Sequence, residues 1–152
     1  MSEPIAPIEL RFVRLRPGAR LPQRQSALAS GYDLHACLDP AGAGLEVGTM
    51  PVRVPTGIAI ASPSGLDVQI RPRSGLSARG VIGTLGTIDA DYRGELFVTL
   101  YCLPGVGRFA VQDGERVAQL VIARLAEVHW REVEALDETG RGGAGHGSTG
   151  LR

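Results

Sequence analysis

The sequence predicts an all-β domain, an antiparallel β-sandwich or barrel, on three observations. The apolar runs are short and nearly all of them close at a breaker. Twenty-one Gly and ten Pro make about one residue in five, against a usual sum of roughly 12%, which leaves little room for long helices. Aromatic residues are only 5%, so the core must be built from Val, Ile, Leu and Ala. With 152 residues the chain is one domain's worth, large enough to bury ~70% of its unfolded surface without disulfides or a structural metal.

Residues 8–15 alternate as Ile-Glu-Leu-Arg-Phe-Val-Arg-Leu and end at Pro17 and Gly18. Such alternation predicts a half-buried strand, one face on the core and one in solvent. Residues 50–54 before Pro55, 57–61 before Pro63, and 66–70 before Pro72 predict three more. Residues 81–82, 96–103 and 108–111 continue the rhythm. Residues 74–79 are the best place for a helical turn. The stretch 115–138 holds no Gly or Pro, and propensity alone would allow a helix there. Val117, Val121 and Ile122 are β-branched, however, and the expectation is two strands. From Gly140 onward the chain is mostly Gly, with too little apolar surface to offset its ordering entropy. The division expected is a β domain over 1–139 and a mobile arm over 140–152.

Composition excludes several functions. Sixteen basic residues balance sixteen acidic ones, which argues against bulk binding to nucleic acid or an anionic membrane. Every basic residue is Arg. Without Lys there is no Walker-type P-loop, no Schiff-base chemistry and no pyridoxal phosphate anchor. Cys37 and Cys102 stand far apart, His35, His129 and His146 are scattered, and no zinc spacing occurs. No apolar run approaches the ~20 residues of a membrane helix. The opening Met1-Ser2-Glu3-Pro4 is no secretory leader. A reduced, cytoplasmic protein is expected.

Four segments and one carboxylate carry chemistry. In Arg71-Pro72-Arg73-Ser74-Gly75-Leu76 a strand ends at Pro and turns through Ser and Gly, so that amides, a hydroxyl and an Arg fork face an anion. An ordinary turn with a solvated Arg accounts for these residues equally well. Residues 83–94 begin Gly83-Thr84-Leu85-Gly86, where a hairpin could bring its backbone against a flat ligand. Asp89 could then orient a water as general base, and Tyr92 could present a ring face to a sugar. Taken alone, Asp89-Ala90-Asp91-Tyr92 reads better as a solvated turn. The tail sets Arg141, His146, Ser148 and Thr149 in a bed of Gly that could wrap phosphates or merely link. Gln119, within 114–120, is either a satisfied core amide or a ligand contact. Asp33 by itself does not make a metal site.

Order and spacing together say more. Residues 30–34, 71–76, 86–94, 114–120 and 141–150 resemble, in sequence order, the five motifs of the homotrimeric dUTP diphosphatases (dUTPases), and the likeness runs from about Ile8 to the C-terminus. The resemblance implies a jelly-roll-like single-domain β-fold with a flexible Gly-rich arm. It also implies a homotrimer with three active sites shared at subunit interfaces, and hydrolysis of dUTP to dUMP and pyrophosphate with Mg²⁺ on the triphosphate. It implies that Asp89 activates the attacking water and that Tyr92 packs on the deoxyribose. Arg73, Ser74 and Gly75 would hold phosphates with support from Gln119, and Asp33 would reach the metal through water. Arg141, Ser148 and Thr149 would close over the phosphates. Uracil would be read by backbone groups of 83–88, including Gly83, Thr87 and Ile88, with Phe97 as a wall. The chain departs from the common pattern twice. His146 stands where many members have Phe, and Gly83 stands where many bacterial members have Asn.

Two other functions are separable. A dCTP deaminase shares the fold and a similar Arg-Ser turn, but would need a Glu base and usually lacks the Asp89–Tyr92 pairing; ammonia released from dCTP would identify it. A non-catalytic trimeric β-protein signalling through its arm would not require Asp89, Arg73, Tyr92 and Arg141 together.

Overall fold

The computed structural model describes residues 7–38 and 44–143. Eleven strands and one helical turn lie within them, in the order β1 (Arg11–Arg14), β2 (Gly31–His35), β3 (Leu45–Val47), β4 (Val52–Pro55), β5 (Ile58–Ala61), β6 (Leu66–Arg71), α1 (Ser74–Ser77), β7 (Val81–Gly83), β8 (Gly86–Ile88), β9 (Phe97–Cys102), β10 (Phe109–Val111) and β11 (Arg116–Arg124). All pairings between them are antiparallel. One sheet runs β2-β11-β6-β8 and a second runs β4-β9-β7, while β1-β5 and β10-β3 form short ladders. The all-β expectation holds.

Strand alternation builds the core. In β6, Leu66, Val68 and Ile70 are buried, and in β9, Val98, Leu100 and Cys102 are buried, with the intervening residues turned toward the surface. These side chains join Leu34, Val54, Ile58, Val111, Val117 and Leu120 in one cluster. Both cysteines are free thiols inside it. Among the described residues no helix is long and apolar enough to cross a membrane.

Three expectations need correction. The strand anticipated over 8–15 forms as β1 over Arg11–Arg14, all four of its residues are exposed, and among the described residues it pairs with β5 alone. Leu10, just before it, packs against the core. The two strands expected over 115–138 are one. β11 has β2 and β6 as neighbours, and its ladder with β6 ends where Arg124 meets Leu66, the first residue of β6. Beyond Arg124 no strand forms within 125–143, and Leu125, Val128, Trp130 and Leu136 are exposed. The third correction concerns 83–88, which is not a self-paired hairpin. β7 pairs with β9 and β8 with β6, so Thr84 and Leu85 carry the chain from one sheet to another.

Candidate active site

The candidate residues gather in two places. The first is built where β2, β11 and the turn after β6 meet. Asp33 on β2 is the register partner of Gln119 on β11, and Gln119 is the partner of Arg71 on β6. Residues directly opposite in a ladder share a face, so the first and fourth motifs lie side by side. Arg116 is three residues before Gln119, an odd spacing that would send it to the other face. A register shift between Arg116 and Ala118 inserts one residue, and Arg116 then pairs with His35 on the Asp33 side.

Asp33 is held from two directions. Arg116 Nη1 lies 3.1 Å from Asp33 Oδ2, and Arg73 Nε lies 3.5 Å from Oδ1. Arg73 Nη1 also donates to the Arg116 carbonyl at 3.0 Å. Much of the Arg73 fork is therefore committed to Asp33 and to β11, and what it presents to an anion is the remainder. Gln119 Nε2 donates to the Pro72 carbonyl at 3.0 Å, which fixes the turn just before Ser74. Ser74 and Gly75 open α1, where the first amides of a helical turn have no partner within the helix. Both residues are exposed, and a methyl placed on Gly75 would meet nothing within 4 Å. That open space is where an anion would approach.

Beside this turn is a cavity of about 390 Å³ lined by Arg20, His35, Arg73, Arg79, Glu115 and Arg116, among others. The His35 pKa is lowered, first by burial and then by the Arg20 charge, with Arg116 and Arg73 acting in the same direction and Asp33 opposing them. His35 Nδ1 is buried without a hydrogen-bond partner among the described residues.

The second place is a cavity of about 240 Å³ lined by Thr87, Ile88, Asp89, Tyr92 and Phe97, together with Arg53, Glu95 and Leu96. A turn closed by Tyr92 N–H donating to the Asp89 carbonyl at 3.0 Å sets the acid and the ring together. Tyr92 Oη donates to the Glu95 carbonyl at 2.9 Å. The ring folds back over Gly94, where any Cβ would collide with it. Glu95 is fastened behind by Arg16 and by the Gly57 amide at 2.7 Å. Arg53 Cζ lies 4.2 Å from the centre of the Phe97 ring, a cation–π stack that covers one face of the expected wall. Asp89 is exposed.

Among the described residues the two cavities share no lining residue. Gly83 lines neither. It is buried, and a Cβ there would come within 3.3 Å of Pro72 and 3.4 Å of Leu100, so its place is tight packing beneath the second motif. Arg141 lies in an exposed segment, while His146, Ser148 and Thr149 lie outside the described residues. Among the described residues no three His, Cys, Asp or Glu side chains converge to hold a metal.

The model of the dUTPase family matches residues 18–150. The chain belongs to the dUTPase family. A curated relative, the deoxyuridine 5'-triphosphate nucleotidohydrolase of Wolinella succinogenes, is 45% identical over 154 residues and covers 99% of both chains. The dUTPase of Staphylococcus bacteriophage 80alpha, solved with dUpNHpp, superposes with a TM-score of 0.78 at 25% identity, over 94% of this chain and 99% of that one. A mutant dUTPase from phage phi11 of S. aureus shares the fold at a TM-score of 0.72 and 21% identity, over 84% and 97%. That structure concerns the coordination of a structural Mg(II) ion.

Several residues that line the two candidate cavities were not singled out from sequence. Arg116 lies inside the fourth segment, and its position on the Asp33 side depends on a bulge that no local pattern announces. His35 was within reach, because it lies two residues from Asp33 on one strand and so on the same face. Arg20, Arg53 and Glu95 carry no local signal at all.

Proposed function

We propose that this chain, a dUTP diphosphatase by family, hydrolyses dUTP to dUMP and pyrophosphate at sites completed between the subunits of a homotrimer. The observation that carries this reading is that the candidate residues line two cavities, one with Arg73 and Arg116 and one with Asp89 and Tyr92, which have no lining residue in common among the described residues. A nucleoside triphosphate that meets both sets suits a site to which different subunits contribute.

In such a site Asp89 accepts a proton from the water that attacks the α-phosphorus. The Tyr92 ring, anchored through Glu95, packs on the deoxyribose and leaves no room for a 2′-hydroxyl. Backbone groups of 84–88 pair with uracil, and cytosine would leave them mismatched. Ser74, Gly75 and Gln119 hold the phosphates with the guanidinium groups around Asp33. The arm, residues 140–152, closes over them with Arg141, Ser148 and Thr149 while His146 stacks on uracil, and cover of this kind would take the exposed Asp89 out of bulk water.

Mg²⁺ fits the donor set as a substrate-borne ion. Asp33 supplies one carboxylate already balanced by two arginines, which suits an ion that keeps its waters and binds mainly phosphate oxygens. When bound it would neutralise charge on the triphosphate. In the cell we place the protein in the cytoplasm, keeping uracil out of DNA and supplying dUMP for thymidylate synthesis.

The test is a nucleotide panel with the purified protein and Mg²⁺. Pyrophosphate release from dUTP, little from UTP or dCTP, no ammonia from dCTP, and loss of turnover in EDTA are expected. Asp89→Asn should bind a non-hydrolysable dUTP analogue with turnover reduced ~10²–10⁴-fold, and Tyr92→Ala should admit UTP. Intact dUTP after incubation of the wild type would sink the reading.

A further inference from the structure

The phosphate-side cavity carries more positive charge than its carboxylates balance. Arg20, Arg73, Arg79 and Arg116 line it, and among the described residues Glu115 is the one carboxylate in its wall. Asp33 is taken up by Arg73 and Arg116. Glu115 Oε2 accepts the Gln112 amide at 2.9 Å, and the neighbouring Asp113 accepts the Leu38 amide at 2.7 Å. Arg79 stacks on Phe109 at 5.0 Å. Arg20 forms no ion pair with any carboxylate of the described residues.

Arg20 is nevertheless positioned. It follows Ala19, which is buried and whose amide closes a turn onto the Arg16 carbonyl at 3.1 Å. Its guanidinium lies against the backbone of Gly114, so close that a Cβ on Gly114 would stand 2.6 Å from Arg20 Nη2. Gly114 has φ +76°, a conformation glycine adopts without strain. A missing side chain at 114 therefore provides the shelf on which the Arg20 fork rests at the cavity wall. An exposed guanidinium with no ion pair among the described residues, sharing a cavity with three other guanidinium groups, is positive charge that an entering anion would offset.

We propose that Arg20 is a further substrate-binding residue that grips the pyrophosphate portion of the nucleotide. The inference rests on the reading that this cavity receives the phosphate chain. It adds to the five motifs a ligand lying outside all of them. Because Arg20 is exposed, its contribution is expected to be screened by salt.

The experiment compares wild type with Arg20→Gln and Arg20→Lys, using inorganic pyrophosphate, dUMP and dUTP as probes in the presence of Mg²⁺. Arg20→Gln should weaken pyrophosphate about tenfold, the size of one charge-assisted hydrogen bond. dUMP affinity and the unfolding midpoint should stay unchanged. KM for dUTP should rise by a similar factor with kcat within about twofold, the pattern of lost uniform binding. The difference should shrink at high salt, and Arg20→Lys should recover part of it. Unchanged pyrophosphate and dUTP affinities in Arg20→Gln, beside an active wild type, would overturn the proposal. So would an equal loss for dUMP and pyrophosphate, because that is the mark of a general structural effect. A wild type that neither binds pyrophosphate nor hydrolyses dUTP would instead overturn the reading of the cavity, and this inference with it.

Discussion

Arg116 Nη1 sits 3.1 Å from Asp33 Oδ2 across the β2–β11 ladder, although residue 116 is out of phase with its strand. The bulge that brings Arg116 to that face turns the fourth motif into a brace for the first. Arg73, arriving from the second motif, completes it by contacting Asp33 at 3.5 Å and the Arg116 carbonyl at 3.0 Å. Three segments remote in sequence are thereby locked around one carboxylate, and the locked parts are those that would meet the phosphates.

Asp33→Asn leaves two guanidinium groups facing each other with no counter-charge, on a side chain only 12% exposed. The loss of charge-assisted hydrogen bonds should cost about 1–2 kcal/mol of stability, since the arginines stay partly solvated. Because Arg73 and Arg116 lose their registration, kcat/KM for dUTP should fall roughly 10–100-fold. Urea unfolding and steady-state kinetics check the two effects. A normal kcat/KM with lowered stability would make the brace purely structural.

Removing residues from Arg141 onward should leave folding intact. The described part of the arm is exposed, and Leu136 ahead of it is 84% exposed, so none of the described core is lost. Catalysis should drop on the order of 10²-fold or more, as expected when an arginine acting on transferring phosphates is withdrawn. Circular dichroism melting beside a dUTP assay reads both. Unfolding on truncation would show the arm to be structural.

Much of this was legible in the sequence because short strands announce themselves locally. Leu66, Val68 and Ile70 alternate and then stop at Pro72, which places β6 and the turn into α1 together. Asp89 and Tyr92 are three apart in a turn, and they do line one cavity. What failed to show depends on partners. The exposure of β1 and of 125–138 depends on what those residues pack against, which local periodicity does not encode. The role of Gly83 follows from Pro72 lying over it, a contact between segments. Arg20 lies at the cavity beside Gly114, where a side chain would crowd its guanidinium, and nothing near position 20 signals that.

His35 makes stability depend on pH with a definite sign. Burial and the charges of Arg20, Arg116 and Arg73 lower its folded-state pKa below the ordinary 6.5, against the opposing Asp33. Below that ordinary value the unfolded chain therefore binds more protons than the folded one. The His35 contribution is fully present above 6.5 and is lost as pH falls from there toward the lowered pKa. Urea midpoints measured on both sides of pH 6.5 should show a smaller drop for His35→Gln than for wild type. Equal drops would mean the ring is not desolvated as the structure places it.

Gly31→Ala tests whether the first and fourth motifs are coupled through space. Gly31 opens β2 opposite Val121, with Gln119 beside it. A methyl at Gly31 would overlap Gln119 Oε1 and would stand 3.0 Å from Gln119 Cβ. Rotating the amide away relieves only the first contact, since Cβ is fixed to the strand. The Gln119 side chain must leave, and with it the 3.0 Å bond to the Pro72 carbonyl that sets the turn before Ser74. A fall in kcat/KM of roughly 10–100-fold is expected, as for other groups that orient binding residues. Gln119→Ala should cost a similar amount through the same loss. If the bond is the route, the double variant should cost little more than either single one, because the second change removes what the first has already displaced. Fully additive losses would mean that Gly31 acts on the site by some path other than Gln119.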